Sequence, residues 1–186
     1  TLDRAVSNFE SFKNHVSVLF WSLGNESYAG DILVEMNRYY KEKDPDRLVE
    51  YEGVAENRPY VDLISDMESQ MYAPPEKIKE YLENNPKKPF ILCEYMHDMG
   101  NSLGGMESYI RLLDQYEDYQ GGFIWDYIDQ ALFVKDEVTG RDVLRYGGDF
   151  DDRPSDYEFS GNGILFADRT EKPAMQEVRH YYGLRR

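Results

Sequence analysis

Two glutamates combine the residue type and the placement of a catalytic carboxylate pair. Glu94 ends the apolar run 90–93, and Glu26 follows the apolar segment 16–23. Alternation along a strand puts Glu94 in a row that faces the core, where an unpaired acid is costly. One acid of such a pair can protonate a leaving group while the other attacks as a carboxylate. The alternative interpretation is structural: each acid is satisfied by an arginine or the backbone, or caps the next helix.

The composition limits the class of protein and its partners. A chain of 186 residues has the size of one domain with its own core. Its 36 acidic and 21 basic residues give a net charge of −15, which argues against nucleic acid or an anionic membrane as a partner. The 16 tyrosines are explained by packing in the core, although aromatic rings also form stacking platforms in sugar-binding clefts.

The cysteine count and the N-terminus bear on the compartment. Cys93 is the single cysteine, which excludes an internal disulfide and favours a reducing, cytoplasmic location, with an exported parent left open. No apolar run is long enough to span a membrane, and no charged-then-apolar leader opens the sequence. The chain starts at Thr1 within a predicted helix, so we expect it to be a piece of a longer protein.

Hydrophobic periodicity predicts an alternation of strands and helices. The predicted strands are 16–23, 48–52, 62–66, 90–94 and 122–126. The predicted helices are 2–13, 30–43, one that starts at Pro74-Pro75, 106–116 and 173–182, the last with Pro173 in its first turn. The segments 67–72 and 140–163 are predicted to be loops.

This alternation predicts a parallel sheet with helical crossovers, either an open doubly wound sheet or a (β/α)8 TIM barrel. The glycine-rich segment 100–105 fits neither phosphate-binding spacing, so a nucleotide site is rejected. Polar residues collect at the C-terminal ends of several strands, where barrel enzymes place their chemistry. Only five strands are predicted, so we expect the C-terminal portion of a barrel, with 1–135 as the barrel part and 136–186 as an acidic loop and closing helix of the same domain.

Two carboxylates at the ends of different strands, in an acidic and aromatic-rich chain, suggest glycoside hydrolysis. Five motifs carry more specific information: Trp21–Ser27, Phe90–Ser102, Gly121–Asp126, Gly147–Phe150 and Asn162–Arg169. They resemble the beta-galactosidases of glycoside hydrolase family 2, and they run in family order from end to end of the chain. The resemblance implies a TIM barrel of which about strands four to eight are present.

The resemblance also implies roles for individual residues in the hydrolysis of terminal beta-D-galactosyl groups. Glu26 would be the general acid/base and Glu94 the nucleophile that forms a covalent galactosyl intermediate. The remaining substrate contacts would come from four residues: Asn25 on the sugar 2-hydroxyl, Tyr72 beside the nucleophile, and His97 and Trp125 lining the galactosyl pocket. At a separation of about 5–5.5 Å, repulsion between the two glutamates would keep Glu94 ionised and leave the proton on Glu26.

Two metal ions follow from the same resemblance. The family's catalytic Mg²⁺ would use Glu26 together with two ligands upstream of this sequence. Its Na⁺ would use the carbonyl of Phe159 and the side chain of Asn162, with a further ligand from another domain. The acids of 149–156 match a calcium loop only loosely, and a solvated loop is the alternative.

The sequence departs from the best-known members at two places, and other interpretations stay open. Asp98 stands after His97 where a small apolar residue is common, and an insert precedes Tyr72. Ser27, where glucuronidases have proline, favours a galactosidase over another sugar specificity. Tyr72, His97 and Trp125 could instead be packing residues. The chain could also be a non-catalytic barrel piece that self-associates through its exposed strand edges, and we expect the isolated piece to be inactive and the parent to be a homo-oligomer.

Overall fold

A computed structural model describes residues 1–183 of the chain. The helices are α1 (Leu2–Phe12), α2 (Asp31–Lys43), α3 (Val61–Ile64), α4 (Pro75–Glu83), α5 (Met106–Gln115) and α6 (Met175–Gly183). The strands are β1 (Phe20–Ser22), β2 (Leu48–Glu50), β3 (Glu68–Met71), β4 (Phe90–Tyr95), β5 (Tyr119–Ile124), β6 (Leu132–Lys135) and β7 (Asp142–Arg145). Within residues 1–183, no helix combines the length and apolar character needed to cross a membrane.

The contacts divide the chain into two compact units. The first unit comprises Thr1–Cys93 and Leu112–Gly122, and the second comprises Glu94–Arg111 and the residues from Phe123 onward. The chain therefore passes between the two units three times, within β4, within α5 and within β5. The division of the sequence at residue 135 into barrel part and closing part stays a prediction.

The first unit begins with two parallel strands joined by a helix. β1 pairs with β2 in a register that places Phe20 opposite Leu48 and Ser22 opposite Glu50, and α2 is the crossover between them. An aromatic cluster fixes α1 and α2 to these strands: the rings of Trp21 and Tyr40 stack with centroids 5.2 Å apart. The parallel pairing confirms the predicted strand–helix–strand rhythm.

A second sheet has the strand order β3-β4-β5. β4 is its centre, and Phe90, Ile91 and Leu92 are all buried, as expected for a strand that is covered on both faces. β4 confirms the predicted strand around Glu94. The backbone of Phe90 is also tied to the residue before β5, since its N–H donates to the carbonyl of Asp118 at 2.7 Å.

The second unit packs α5 and α6 against irregular segments. Met106, Ile164, Leu165 and Val178 form its buried cluster. The carboxylate of Glu177 on α6 accepts the backbone N–H of Met106 at 2.8 Å, which satisfies a free donor at the start of α5.

The prediction of a strand at 62–66 and a loop at 67–72 is wrong: α3 occupies Val61–Ile64, and β3 lies within the predicted loop. A short apolar run does not distinguish strand from helix by its period. The helix is favoured because Lys88 Nζ donates to the carbonyls of Val61, its first residue, and of Ser65, the residue after its end, both at 2.7 Å. The polar strand β3 is tolerated because Arg58 contacts both carboxylate oxygens of the buried Glu68, at 2.7 and 2.9 Å.

The predicted bounds of three elements need correction. The strand at 16–23 is reduced to β1, because backbone hydrogen bonds from His15 and Val18 continue a turn after α1 and leave Val16 exposed. The strand at 122–126 starts and ends earlier, as β5, so Trp125 lies beyond it. α6 begins at Met175 and not at Pro173.

The predicted loop 140–163 is also only partly correct, because it contains β7. β7 pairs antiparallel with β6, and Phe133 lies opposite Leu144. Asp136 stabilises the connection between β6 and β7. Its carboxylate accepts hydrogen bonds from the backbone N–H and the hydroxyl of Thr139, and it forms an ion pair with Arg145 at 3.1 Å. These contacts come from side-chain chemistry that periodicity does not measure.

One carboxyl in the second unit is buried and only partly compensated. Asp98 is 3% exposed, and its Oδ2 has no hydrogen-bond partner among the described residues. Burial raises the pKa of Asp98 to about 6, with Asp129 adding to the rise and Lys172 opposing it. Lys172 is already paired with Asp129 at 2.7 Å, so it compensates Asp98 only from a distance.

This burial predicts a pH dependence of stability. Because the folded pKa of Asp98 is raised, the folded protein binds more proton than the unfolded chain, and the free energy of unfolding falls as pH rises from the ordinary value of 3.8 to about 6. Asp98→Asn removes this loss. We expect the variant to be more stable than the wild type at pH 8 by on the order of 1–3 kcal/mol, and by less at pH 5. Thermal unfolding at both pH values measures the difference, with the exposed Asp46→Asn as control. An equal gain at both pH values would contradict the prediction.

Candidate active site

Glu26 lies in a tight turn just after β1, in the first unit. Its backbone adopts a left-handed conformation, with φ of 52°, and its side chain is exposed. The turn is tied to the residues that follow β2. The backbone N–H of Glu26 donates to the carboxylate of Glu52, and the N–H of Ser27 donates to the hydroxyl of Tyr51 at 3.0 Å. That hydroxyl in turn donates to the carbonyl of Ser27. The turn is therefore held by the core and not by local contacts alone.

A cavity of about 320 Å³ opens beside Glu26 within the first unit. Its lining includes Glu26 and Ser27 from the turn after β1, Glu52 and Glu56 from the segment after β2, and Gln70 from β3. The ends of three successive strands therefore contribute to one concave surface. This is the place where a parallel α/β structure presents functional groups.

Asn25 and Tyr72 belong to the same unit as Glu26. Asn25 is exposed and directly precedes Glu26. Tyr72 follows β3, is 39% exposed and has a left-handed backbone, with φ of 51°. Both residues thus lie beyond the C-terminal ends of β1 and β3, and their contacts with a sugar stay predictions.

Glu94 is the last residue but one of β4 and belongs to the second unit. It is half-buried, whereas the next residue, Tyr95, is buried. The end of the strand is fixed by Tyr95: its hydroxyl shares a 2.8 Å hydrogen bond with that of Tyr182, and its ring meets Tyr109 edge-on with centroids 5.4 Å apart. The backbone that carries Glu94 is therefore rigidly placed by aromatic packing.

The other predicted substrate contacts also lie in the second unit. The ring of His97 packs against Phe159, with centroids 5.6 Å apart. The backbone N–H of Asp98 donates to the carbonyl of Trp125 at 2.9 Å, and the backbone N–H of Trp125 donates to the carbonyl of Tyr95 at 2.9 Å. The structure thus connects the end of β4 to the segment after β5. The indole Nε1 of Trp125 is buried without a hydrogen-bond partner among the described residues.

The predicted sodium ligands lie together. Asn162 is 4% exposed, its Nδ2 donates to the carbonyl of Phe159, and its Oδ1 has no hydrogen-bond partner among residues 1–183. A buried amide oxygen without a donor is costly. It is also the hard oxygen ligand that an alkali or alkaline-earth cation prefers. Asp129 and Lys172 fix the segment, because they bond to the backbone of Gly163 and Gly161 on either side of Asn162. These two residues therefore fit a cation.

The predicted magnesium site has one ligand in this chain, Glu26. In the part of the chain that the structure describes, no group of three or more His, Cys, Asp or Glu side chains is placed to hold a metal ion. Glu26 is exposed, and its role as a magnesium ligand stays a prediction. The further ligands that the resemblance implies would lie outside residues 1–183.

Sequence reasoning missed three buried polar residues of this region. Tyr51 and Glu52 hold the turn of Glu26, whereas the sequence pattern shows them only as polar residues at the end of a predicted strand. Glu50 is 4% exposed, and burial raises the pKa of its carboxyl while the hydroxyls of Ser69 and Ser22 oppose the rise. The signal that could have found them is an acid on each side of a tyrosine at the end of an apolar strand.

Comparison with known proteins covers the chain from end to end. The pattern of the family described as "Glycosyl hydrolases family 2, TIM barrel domain" matches residues 1–185. The chain is 74% identical over 183 residues to a beta-galactosidase large subunit of Latilactobacillus sakei and 69% identical to one of Lactobacillus helveticus. Each alignment covers 98% of this chain and 29% of the relative, so the chain spans less than a third of the length of these relatives.

Solved structures agree in fold. A Lactobacillus rhamnosus beta-glucuronidase superposes with a TM-score of 0.63 at 19% sequence identity, over 98% of this chain and 35% of that chain. At this identity the likeness concerns the fold alone. Together with the family match, it confirms the prediction of a partial TIM barrel. The chain belongs to glycosyl hydrolase family 2, and it forms part of the TIM barrel domain of that family.

Proposed function

We propose that the natural polypeptide that carries this chain is a retaining beta-galactosidase, which hydrolyses terminal beta-D-galactosyl residues of beta-galactosides such as lactose. The main support is the 74% identity to a beta-galactosidase large subunit over 98% of the chain. The exposed Glu26 beyond β1 and the half-buried Glu94 at the end of β4 agree with it, because both occupy C-terminal strand ends.

The proposed reaction has two steps. In each step one bond to the anomeric carbon forms, another breaks, and one proton is transferred. In the first, the Glu94 carboxylate attacks the anomeric carbon, the bond to the aglycone oxygen breaks, and Glu26 gives its proton to that oxygen. In the second, Glu26 takes a proton from water, the water oxygen attacks the anomeric carbon, and the ester bond to Glu94 breaks. Galactose leaves with retained configuration, and both carboxyl groups return to their starting states.

Four further residues have proposed roles at the sugar. Asn25 hydrogen-bonds the 2-hydroxyl. This role is supported by its position directly before Glu26, which places it beside the proposed acid. Tyr72 assists departure from the nucleophile. His97 and Trp125 line the galactosyl pocket, supported by their connection through the backbone of Asp98 in the second unit.

Two cations are proposed as cofactors. Phe159 and Asn162 would hold Na⁺, which supplies a fixed positive charge for sugar hydroxyls; the buried, unpartnered Oδ1 of Asn162 supports this. Glu26 would be one ligand of Mg²⁺, which adds positive charge beside the acid/base group. The protein's own part is to hold these oxygens in place, and for Asn162 that falls to Asp129 and Lys172.

The relatives' names also suggest an assembly. Two relatives are called large subunits, so we propose that the natural protein contains more than one polypeptide. Homo-oligomerisation and a cytoplasmic location, which the cysteine content favours, remain proposals as well. Assaying beta-glucuronides beside beta-galactosides tests whether the natural protein prefers a sugar other than galactose. Ser27 favours a preference for the galactoside.

Glu94→Gln tests the nucleophile. An amide cannot form the glycosyl ester, so we expect kcat/KM for nitrophenyl galactoside to fall by at least about a thousandfold, with the fold retained. The measurement is a steady-state assay of the natural polypeptide, together with circular dichroism. Glu107→Gln, an exposed glutamate on α5 of the same unit, is the matched control. Retention of more than roughly a few per cent of activity would remove Glu94 from this role.

Glu26→Gln tests the general acid. Only substrates with poor leaving groups need a proton, so we expect kcat/KM for lactose to fall by about 10²–10⁴-fold and that for dinitrophenyl galactoside to fall far less. This parameter reports the first step, so slow hydrolysis of the intermediate does not obscure the comparison. An equal fall for both substrates would show that Glu26 is not the acid.

Asn162→Ala tests the cation site. If Na⁺ binds Asn162 and orients the sugar, exchanging Na⁺ for choline should raise KM in the wild type by roughly tenfold, since about one hydrogen bond to a charged group is lost. In the variant, KM should be high in either salt. A variant whose KM still responds to Na⁺ would contradict the assignment.

A further inference from the structure

We propose that Glu52 is a positioning residue for Glu26: its carboxylate holds the backbone of the acid/base residue and thereby sets where the acid points. The inference rests on the proposed role of Glu26 and assigns a task to a residue that has none so far. It concerns contacts within the first unit only.

The backbone of Glu26 needs an external restraint. A φ of 52° is a left-handed conformation that residues with a side chain adopt at a cost, and such a conformation persists only when surrounding contacts enforce it. The contact made by Glu26 itself is the hydrogen bond from its N–H to Glu52. Because the acceptor is a carboxylate, this bond belongs to the stronger, charge-assisted class.

A second contact restrains the next residue of the turn. The hydroxyl of Tyr51 both accepts the N–H of Ser27 and donates to its carbonyl. Donation requires a protonated phenol, and burial raises the pKa of Tyr51, with the charge of Glu52 adding to the rise. Consecutive residues after β2 thus hold consecutive residues after β1.

Glu52 is itself firmly placed. It is 7% exposed and opens a short 3₁₀ helix, Glu52–Val54, all of whose residues are buried. The next residue, Gly53, lies so close to the turn that a Cβ there would come within 2.6 Å of the carbonyl of Ser27. The turn of Glu26 therefore packs closely against a rigid part of the core, and the hydrogen bond to Glu52 restrains the backbone of Glu26 relative to it.

A positioning role of Glu52 differs from a merely structural one in the reaction step that its loss would slow. A general acid must sit within hydrogen-bond reach of the leaving oxygen, and small misplacement of a catalytic group is enough to slow a reaction strongly. Loss of the Glu52 contact should therefore impair protonation of the leaving group specifically. A general loss of folding would reduce all substrates alike.

The test compares Glu52→Leu with Glu52→Gln in the natural polypeptide. Leucine fills the space without accepting a hydrogen bond, whereas the glutamine oxygen still accepts the N–H of Glu26. For Glu52→Leu we expect kcat/KM for lactose to fall about 10–100-fold more than kcat/KM for dinitrophenyl galactoside. For Glu52→Gln we expect the ratio of the two values to stay within about threefold of the wild type. The ratio does not depend on how much of the enzyme is folded.

Two controls separate the possible failures. Glu35→Leu removes an exposed carboxylate on α2, outside the cavity lining, and it should leave the ratio unchanged. Glu26→Gln, measured in parallel, must itself change the ratio; if it does not, the proposed function of Glu26 fails and the role of Glu52 falls with it. If Glu26→Gln changes the ratio but Glu52→Leu lowers both substrates equally, only the positioning role is overturned. A Glu52→Gln variant as selective as Glu52→Leu would also overturn it, because the hydrogen bond would then not be the cause.

Discussion

The attachment of one strand-end turn to the next is the constraint on which the first unit's candidate chemistry depends. Glu26 stands outside the core, on an unfavourable backbone conformation, and can hold a defined direction only through contacts made elsewhere. Those contacts come from Tyr51 and Glu52, which are buried because β2 lies between β1 and the chain at 65–66. Parallel pairing thus does more than close a sheet: it brings the C-terminal ends of neighbouring strands close enough for one to orient the other.

A feature of the second unit is a set of polar atoms that are buried in it. Asp98 Oδ2, Trp125 Nε1 and Asn162 Oδ1 are each buried without a hydrogen-bond partner within the described chain. Such atoms are rare in folded proteins, and each is costly unless a ligand, ion or water completes it. Their position around His97 and Phe159 agrees with a site that is finished by what it binds. The ion pair of Asp129 with Lys172 supplies the stiffness that keeps the segment around Asn162 in place.

Much of the fold could be predicted because long, strongly patterned segments have few alternatives. α2, β4 and α5 were predicted close to their observed bounds, since each combines clear periodicity with turn residues at its ends. The failures lie where tertiary contacts outweigh local preference. α3 is stabilised by Lys88, distant in sequence, which binds the carbonyls of Val61 and Ser65. The polar strand β3 is tolerated because Arg58 neutralises Glu68. Neither partner can be identified from a window of neighbouring residues.

The sequence by itself determined the family and the partial barrel, and it singled out Glu26 and Glu94 as candidate carboxylates, because the long motifs around them are specific. It did not determine how Glu26 is held. Tyr51 and Glu52 are separated from the turn by a whole helix, and only parallel pairing of β1 with β2 brings the two segments together. The environment of Asp98 was likewise decided by the tertiary structure: its residue type predicts an ordinary carboxylate, and burial beside the Asp129–Lys172 pair raises its pKa to about 6. Hydrogen bonds and desolvation depend on which segments meet in space, and a linear pattern does not contain that information.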